Sequence, residues 1–198
     1  MLFQMTKTIG VLAMQGNLEE HEDALLLAMH NRDIKGGTIR IKNAPELKRT
    51  DALVIGGGES TTMWKLLKKT NLFSALKKYE KPILGTCAGM ILLAKSGTGD
   101  DSKKTKQEFL KKIDVVVKRN AFGRQVDSFS EDLDFDGRPF HAVFIRAPVI
   151  EKVGTDVEIL SKYGGKIVAA KQGNILVTAF HPELTDDSRI HEYFLGMI

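Results

Sequence analysis

The sequence predicts an α/β fold: a mostly parallel sheet flanked by helices, with antiparallel strands added in the C-terminal half. Two patterns predict it. Up to Ala94, short apolar runs alternate with stretches of helical period, and glycines mark the switches. After Ala142, short β-rich runs follow one another with Gly164-Gly165 and Gln172-Gly173 between them, the pattern of an antiparallel meander. The 198 residues suit one domain, 1–198. A domain of that size buries about 70% of its unfolded surface and needs no covalent staples.

Thr8–Met14 reads as a first, buried strand, ended by Gln15-Gly16. Asn17-x-x-Glu20 reads as a capping box with Asn17 as the cap, opening a helix that runs to about His30 and carries Leu18, Leu25, Ala28 and Met29 on one face. Gly36-Gly37 turns the chain into a second strand, Thr38–Ile41. A third, Ala52–Ile55, ends in Gly56-Gly57-Gly58 and leads to an amphipathic helix, Met63–Lys69. Asn71–Tyr79 is a short helix. Ile83-Leu84 is a fourth strand, and Met90–Ala94 begins a helix directly after it. Beyond that, Gly97–Ser102 reads as a polar loop and Lys103–Lys112 as a charged helix. Ile113–Lys118 is a β-branched strand, and Arg119–Gln125 is a loop without regular period. Ala142–Ile145 is a short strand stopped by Arg146-Ala147-Pro148, and Glu158–Leu160, Ile167–Ala170 and Ile175–Phe180 are the meander.

Composition narrows the function. One cysteine excludes an internal disulfide and suits a reducing compartment. The apolar runs are too short to span a membrane, and Met1–Lys7 is too short and polar for a signal peptide, so the cytoplasm is expected. A net charge of +4 raises the question of nucleic acid. The lysines, however, interleave with helix formers and lack a stacking aromatic pattern, which reads as a solvated or partner-facing surface. One cysteine and scattered histidines have no metal-ligand spacing, and no metal site is expected.

The most informative stretch is Gly85-Thr86-Cys87-Ala88-Gly89. Gly-x-nucleophile-x-Gly between a strand and a helix is a nucleophile elbow, here with cysteine as nucleophile. The turn is sharp, and a Cβ at either glycine would collide with a neighbouring element. A lone cysteine is more often a small buried core residue; the two glycines and the strand-to-helix setting favour the catalytic reading. The Ala88 N–H, next after the nucleophile, is placed to bind an oxyanion. In such a site an earlier strand-end loop gives the second N–H, and Gly57 or Gly58 suits that role as well as it suits a plain tight turn.

A base is needed, and His181-Pro182-Glu183 offers one at another strand end. Pro182 keeps the segment extended, and in an extended chain i and i+2 share a face, so Glu183 can orient the His181 imidazole. His21 and His191 lie on predicted helices, and His30 and His141 are no better placed. From the residues alone the chain reads as a Cys-His-Glu hydrolase or amidotransferase working through a thioester.

Several stretches together resemble one family. They are Gly10–Gly16 with Glu20-His21, Gly56–Met63, Gly85–Gly89, Arg119–Gln125, Phe144–Pro148 and His181–His191. The chain resembles the glutaminase subunits of pyridoxal 5′-phosphate synthases, which are class I, triad-type glutamine amidotransferases with a flavodoxin-like fold. The elbow alone marks the broader class; G-E-S-T-T, R-N-A-F-G-R-Q and F-I-R-A-P mark this subfamily. The resemblance implies that L-glutamine is hydrolysed to glutamate and ammonia without a cofactor. The ammonia passes to a separate synthase (lyase) subunit in a large hetero-oligomeric complex that makes the vitamin B6 coenzyme. The resemblance also implies glutamine contacts from Gly58, Glu59, Ser60, Arg119, Ile145 and Arg146, and a part for Gln15 in completing the oxyanion hole. Bottom-up, Arg119 and Arg146 read equally well as loop-stabilising arginines. The rival readings are the glutaminase subunit of another biosynthetic amidotransferase, a related elbow-cysteine hydrolase or deglycase, and a non-catalytic glutamine-binding module.

Overall fold

A computed structural model of the chain describes residues 6–98, 107–122 and 128–198. The first half runs β1 (Lys7–Leu12), α1 (Leu18–Asn31), β2 (Gly36–Ile41), α2 (Ala44–Lys48), β3 (Ala52–Ile55), α3 (Ser60–Lys69), α4 (Leu72–Lys77), β4 (Ile83–Thr86) and α5 (Ala88–Leu93). The second half adds β5 (Ala94–Thr98), β6 (Ile113–Lys118), β7 (Ser128–Phe135), β8 (Arg138–Ile145), β9 (Val149–Val153), β10 (Glu158–Tyr163), β11 (Lys166–Gln172) and β12 (Ile175–Thr178). A 3-10 turn, Pro182–Leu184, and α6 (Arg189–Leu195) follow.

The main sheet has the order β2-β1-β3-β4-β12-β11-β9-β6-β5, with β10 paired to β11. Its first five strands are parallel. Every residue of β3, β4 and β12 is buried. Alternate residues of a strand point to opposite faces, so both faces of the sheet are covered here, which is why these strands read as unbroken apolar runs. From β12 onward the pairings β12–β11, β11–β9 and β9–β6 are antiparallel. This is the predicted flavodoxin-like architecture with antiparallel strands added in the C-terminal half.

The topology fixes the site. β1, β3, β4 and β12 are parallel neighbours, so their carboxyl ends lie along one edge of the sheet. The segments that leave them, Gln15–Asn17, Gly56–Gly58, Cys87 and Ala179–His181, meet there, as the rule for open parallel sheets requires. β12 is the last strand in sequence and sits beside β4, with Thr178 opposite Thr86.

Several boundaries depart from the sequence reading. The Asn17 side chain makes no capping bond; it faces the site instead. A capping box does form at Asn43 and Glu46, at the start of α2. β12 stops at Thr178, before Phe180. Of the expected loop and helix over 97–112, Gly97 and Thr98 belong to β5, 99–106 lie outside the described residues, and 107–112 are not helical. That stretch lies along the end of α5, with the N–H groups of Leu110 and Lys112 donating to the Leu92 and Leu93 carbonyls and Leu110 buried. Its helix-forming composition yields to this packing. Residues 123–125 of the expected loop are also outside the described residues.

A larger feature was not expected: β7 and β8 form a full antiparallel hairpin, of which only Ala142–Ile145 reads as a strand in the sequence. Its turn is Asp136-Gly137, both at positive φ. Leu133, Phe135, Phe140, Ala142 and Phe144 are buried beneath it. Phe129 and Phe144 stack with ring centroids 4.7 Å apart. The hairpin leads straight to Ile145 and Arg146 at the site. No described helix is long and apolar enough to cross a membrane.

Candidate active site

Cys87 sits between β4 and α5 at φ +49, ψ −104, where a side chain is strained. Two neighbours enforce it. The Cys87 N–H donates to the Thr178 carbonyl of β12 at 2.8 Å. A Cβ on Gly89 would stand 1.9 Å from the Ile55 carbonyl oxygen, so α5 can press against the end of β3 only with glycine there. The predicted elbow is formed, and its sulfur lies 3.8 Å from the Ile145 carbonyl oxygen.

His181 reaches the same place from the end of β12. Its N–H donates to the Val143 carbonyl at 2.8 Å, which ties it to the hairpin. Nδ1 lies 2.7 Å from Glu183 Oε1. The pairing holds but its expected geometry does not: Pro182, Glu183 and Leu184 form a 3-10 turn rather than an extended segment. Proline's fixed φ suits the first position of a helical turn, and the tight turn brings the carboxylate back to the ring. With Nδ1 engaged by Glu183, Nε2 is the ring nitrogen left for Cys87.

The electrostatics follow from burial and partners. Burial alone would lower the His181 pKa; hydrogen bonds to Cys87 and Glu183, and their charges, outweigh it and push it up to about 10. Burial alone would raise that of Glu183; the facing His21 and His181 push it down to about 2. An imidazolium and a carboxylate are thus favoured behind the cysteine at neutral pH.

A pocket of about 470 Å³ opens over Cys87 and His181. The predicted Gly57, Gly58, Glu59, Ser60, Arg119, Ile145 and Arg146 all line it. Glu183 stands behind His181, while Gln15 and Ala88 are not among the lining residues. Gln15 is nonetheless engaged at the rim, its Oε1 accepting the Glu59 N–H at 3.0 Å. The Glu59 carboxylate caps α3, accepting from the N–H groups of Thr61 and Thr62 at 2.9 and 2.7 Å. Arg119 Nη2 donates to Gln107 Oε1 at 2.6 Å, and the same oxygen accepts from Ser60 Oγ at 3.2 Å. Gln107 thereby anchors the arginine to the start of α3. A larger groove, about 1240 Å³, runs behind Glu183 along the hairpin and does not reach Cys87.

Sequence reasoning missed Asn17, His21, Gln107 and His191. Asn17 Nδ2 donates to Glu183 Oε1 at 3.0 Å, and His21 Nε2 lies 3.5 Å from Glu183 Oε2. Asn17 and His21 are one helical turn apart, on the side of α1 that is buried. A polar pair at that spacing on an otherwise apolar face was the available signal.

Residues 11–198 match the SNO glutamine amidotransferase family. The chain belongs to that family. Curated relatives include the pyridoxal 5′-phosphate synthase subunit PdxT of Oenococcus oeni, 52% identical over 195 residues and covering 96% of each chain. The subunit of the same name from Actinobacillus pleuropneumoniae serotype 3 is 50% identical over 193 residues, covering 96% of this chain and 95% of that one. Among solved structures, a glutamine amidotransferase superposes with a TM-score of 0.84 at 41% identity, covering 96% of this chain and 97% of the other. An amidotransferase-family assignment agrees with what the elbow and the strand-end histidine place together.

Proposed function

We propose that this chain is the glutaminase subunit of a pyridoxal 5′-phosphate synthase, hydrolysing L-glutamine to L-glutamate and ammonia. The observation that carries the proposal is the convergence, in one pocket, of an elbow cysteine at positive φ with a buried His181–Glu183 pair. Relatives of about 50% identity that bear the PdxT name support this subunit over the glutaminase of another biosynthetic complex.

The Cys87 thiolate attacks the side-chain amide carbon of glutamine, and the carbonyl π electrons move to oxygen. The oxyanion accepts from the N–H of Ala88 and from that of Gly57 or Gly58, with Gln15 holding the neighbouring loop through Glu59. His181 gives its proton to the leaving nitrogen, the C–N bond breaks, and ammonia departs from a thioester. Water then attacks the thioester carbon as His181 takes its proton. The C–S bond breaks, glutamate leaves, and the thiolate–imidazolium pair is restored. Glu183 fixes the ring tautomer throughout. Arg119 or Arg146 suits the α-carboxylate of the substrate. The carboxylate or the backbone carbonyl of Glu59 suits the α-ammonium. Ammonia passes to a separate synthase subunit in a hetero-oligomeric, cytoplasmic assembly.

The test is glutamate release from L-glutamine by the chain alone and with a synthase subunit, with Cys87→Ala as control. A rise on adding the partner, abolished in the variant, is the expected result. Full activity without response to the partner removes the synthase assignment. Activity that survives Cys87→Ala removes the mechanism.

A further inference from the structure

Glu183 is buried, and its two oxygens are treated differently. Oε1 faces two donors, His181 Nδ1 at 2.7 Å and Asn17 Nδ2 at 3.0 Å. Oε2 has no ordinary hydrogen bond among the described residues. Its polar neighbour is His21 Nε2 at 3.5 Å, slightly beyond hydrogen-bond length. His21 is itself buried at 1% exposure, and its Nδ1 lies 3.2 Å from Nε2 of a second histidine, His191, which is fully buried. α1 and α6 pack together and bring the two rings edge to face, 5.5 Å apart. The end of β3 leaves room for this: a Cβ on Gly56 would come within 3.1 Å of the His21 ring. Neither imidazole has a part in the chemistry above, and two buried histidines behind a carboxylate need a physical account.

Their protons can be assigned by elimination. His191 Nδ1 has no partner among the described residues. A buried N–H without an acceptor is rarer and costlier than an imidazole lone pair without a donor. The His191 proton therefore sits on Nε2, which donates to His21 Nδ1. That leaves the His21 proton on Nε2, directed at Glu183 Oε2 and at Thr86 Oγ1, 3.3 Å away. Burial holds both rings neutral: it lowers His191 to about 3, and it lowers His21 despite the opposing charge of Glu183. A single orientation of N–H bonds thus runs from α6 through α1 to the carboxylate.

We propose that His21 and His191 are positioning residues, an ordered pair of neutral imidazoles that turns an N–H toward the second oxygen of Glu183 and holds this carboxylate in place for His181. The proposal rests on the triad reading given under Proposed function. The 3.5 Å gap shortens when glutamine occupies the pocket, as catalytic hydrogen bonds do in loaded complexes. The pair supplies direction, and it removes the alternative in which a buried carboxylate oxygen without a donor takes up a proton.

The test compares glutamine turnover, with the synthase subunit present, in the parent and in His21→Leu, His21→Gln, His191→Phe and Glu183→Gln. His21→Leu should lower kcat by about 10–100-fold, the range for losing one hydrogen bond to a charged group, with KM for glutamine unchanged. His21→Gln places an amide N–H near the Nε2 position and should restore most of the loss. His191→Phe should show a smaller loss of the same kind. On the unmodified chain, imidazole nitrogen NMR at neutral pH should find His21 and His191 both as neutral Nε2–H tautomers, and this reading does not depend on a variant folding. A His21 Nδ1–H tautomer, or parental kcat in His21→Leu beside a damaged Glu183→Gln, overturns the positioning role and leaves the triad intact. Parental kcat in Glu183→Gln overturns the triad, and the positioning role with it.

Discussion

The Asn17 side chain donates from Nδ2 to Glu183 Oε1 at 3.0 Å, joining the start of α1 to the turn after β12. This residue reads in the sequence as a helix cap, and the structure spends it on the carboxylate instead. Asn17→Ala should lower kcat about 10-fold with little effect on folding, the low end of the range for a hydrogen bond to a charged group, as suits a partly buried one. Asn17→Asp should cost more, because it sets a second carboxylate against the first. Steady-state kinetics on the two variants would check the order; a milder Asn17→Asp would refute it.

Two glycines should separate stability from catalysis. A Cβ on Gly89 meets the Ile55 backbone at 1.9 Å, and backbone cannot yield cheaply. Gly89→Ala should lower the thermal midpoint sharply, by the equivalent of about 3 kcal/mol or more. A Cβ on Gly57 meets His181 Cε1 at 2.5 Å, and a side chain can rotate away. Gly57→Ala should stay folded and lose turnover. Calorimetry beside glutamate release distinguishes them.

The buried histidines give stability a definite pH dependence. His181 is raised from 6.5 to about 10, so its contribution is complete below pH 6.5 and is lost as pH rises through 10. Glu183 is lowered from 4.5 to about 2, so its contribution is complete above pH 4.5 and is lost as pH falls through 2. His191, lowered from 6.5 to about 3, resists protonation in the fold, which costs stability progressively as pH falls from 6.5 toward 3. The thermal midpoint should therefore peak near pH 6.5. Cys87→Ala removes one of the partners that raise His181 and should flatten the alkaline limb alone, as midpoints measured from pH 4 to 9 would reveal.

Gln107 should act on substrate binding rather than on the nucleophile. Its Oε1 holds Arg119 at 2.6 Å beside the pocket. Gln107→Ala should raise KM for glutamine about tenfold, as a displaced charged contact would. The rate of Cys87 alkylation by iodoacetamide should not change. A change in alkylation with KM intact would refute the assignment.

What was legible in the sequence was the part written in local chemistry. The glycines around Cys87, the triple glycine after β3 and the apolar runs of β1, β3, β4 and β12 each carry their own signal, and together they place the pocket. The hairpin β7–β8 carries one too, in Asp136-Gly137 between alternating apolar positions, the strongest short-range hairpin pattern. Asn17 and His21 were not legible as site residues, because their partner Glu183 is 166 positions from Asn17. Helical propensity misread 107–112 for a related reason: its structure is set by the Leu92 and Leu93 carbonyls, not by its own residues.

The placement of β12 also orders events during synthesis. The ribosome delivers β4 and its nucleophile long before β12, yet β12 is the strand that lies against β4 and orders the Cys87 backbone. Until it emerges, one edge of β4 stands open and the cysteine lacks both the Thr178 anchor of its turn and its base. A nascent chain therefore carries an inert thiol and a sticky strand edge, and both are resolved by the same late insertion.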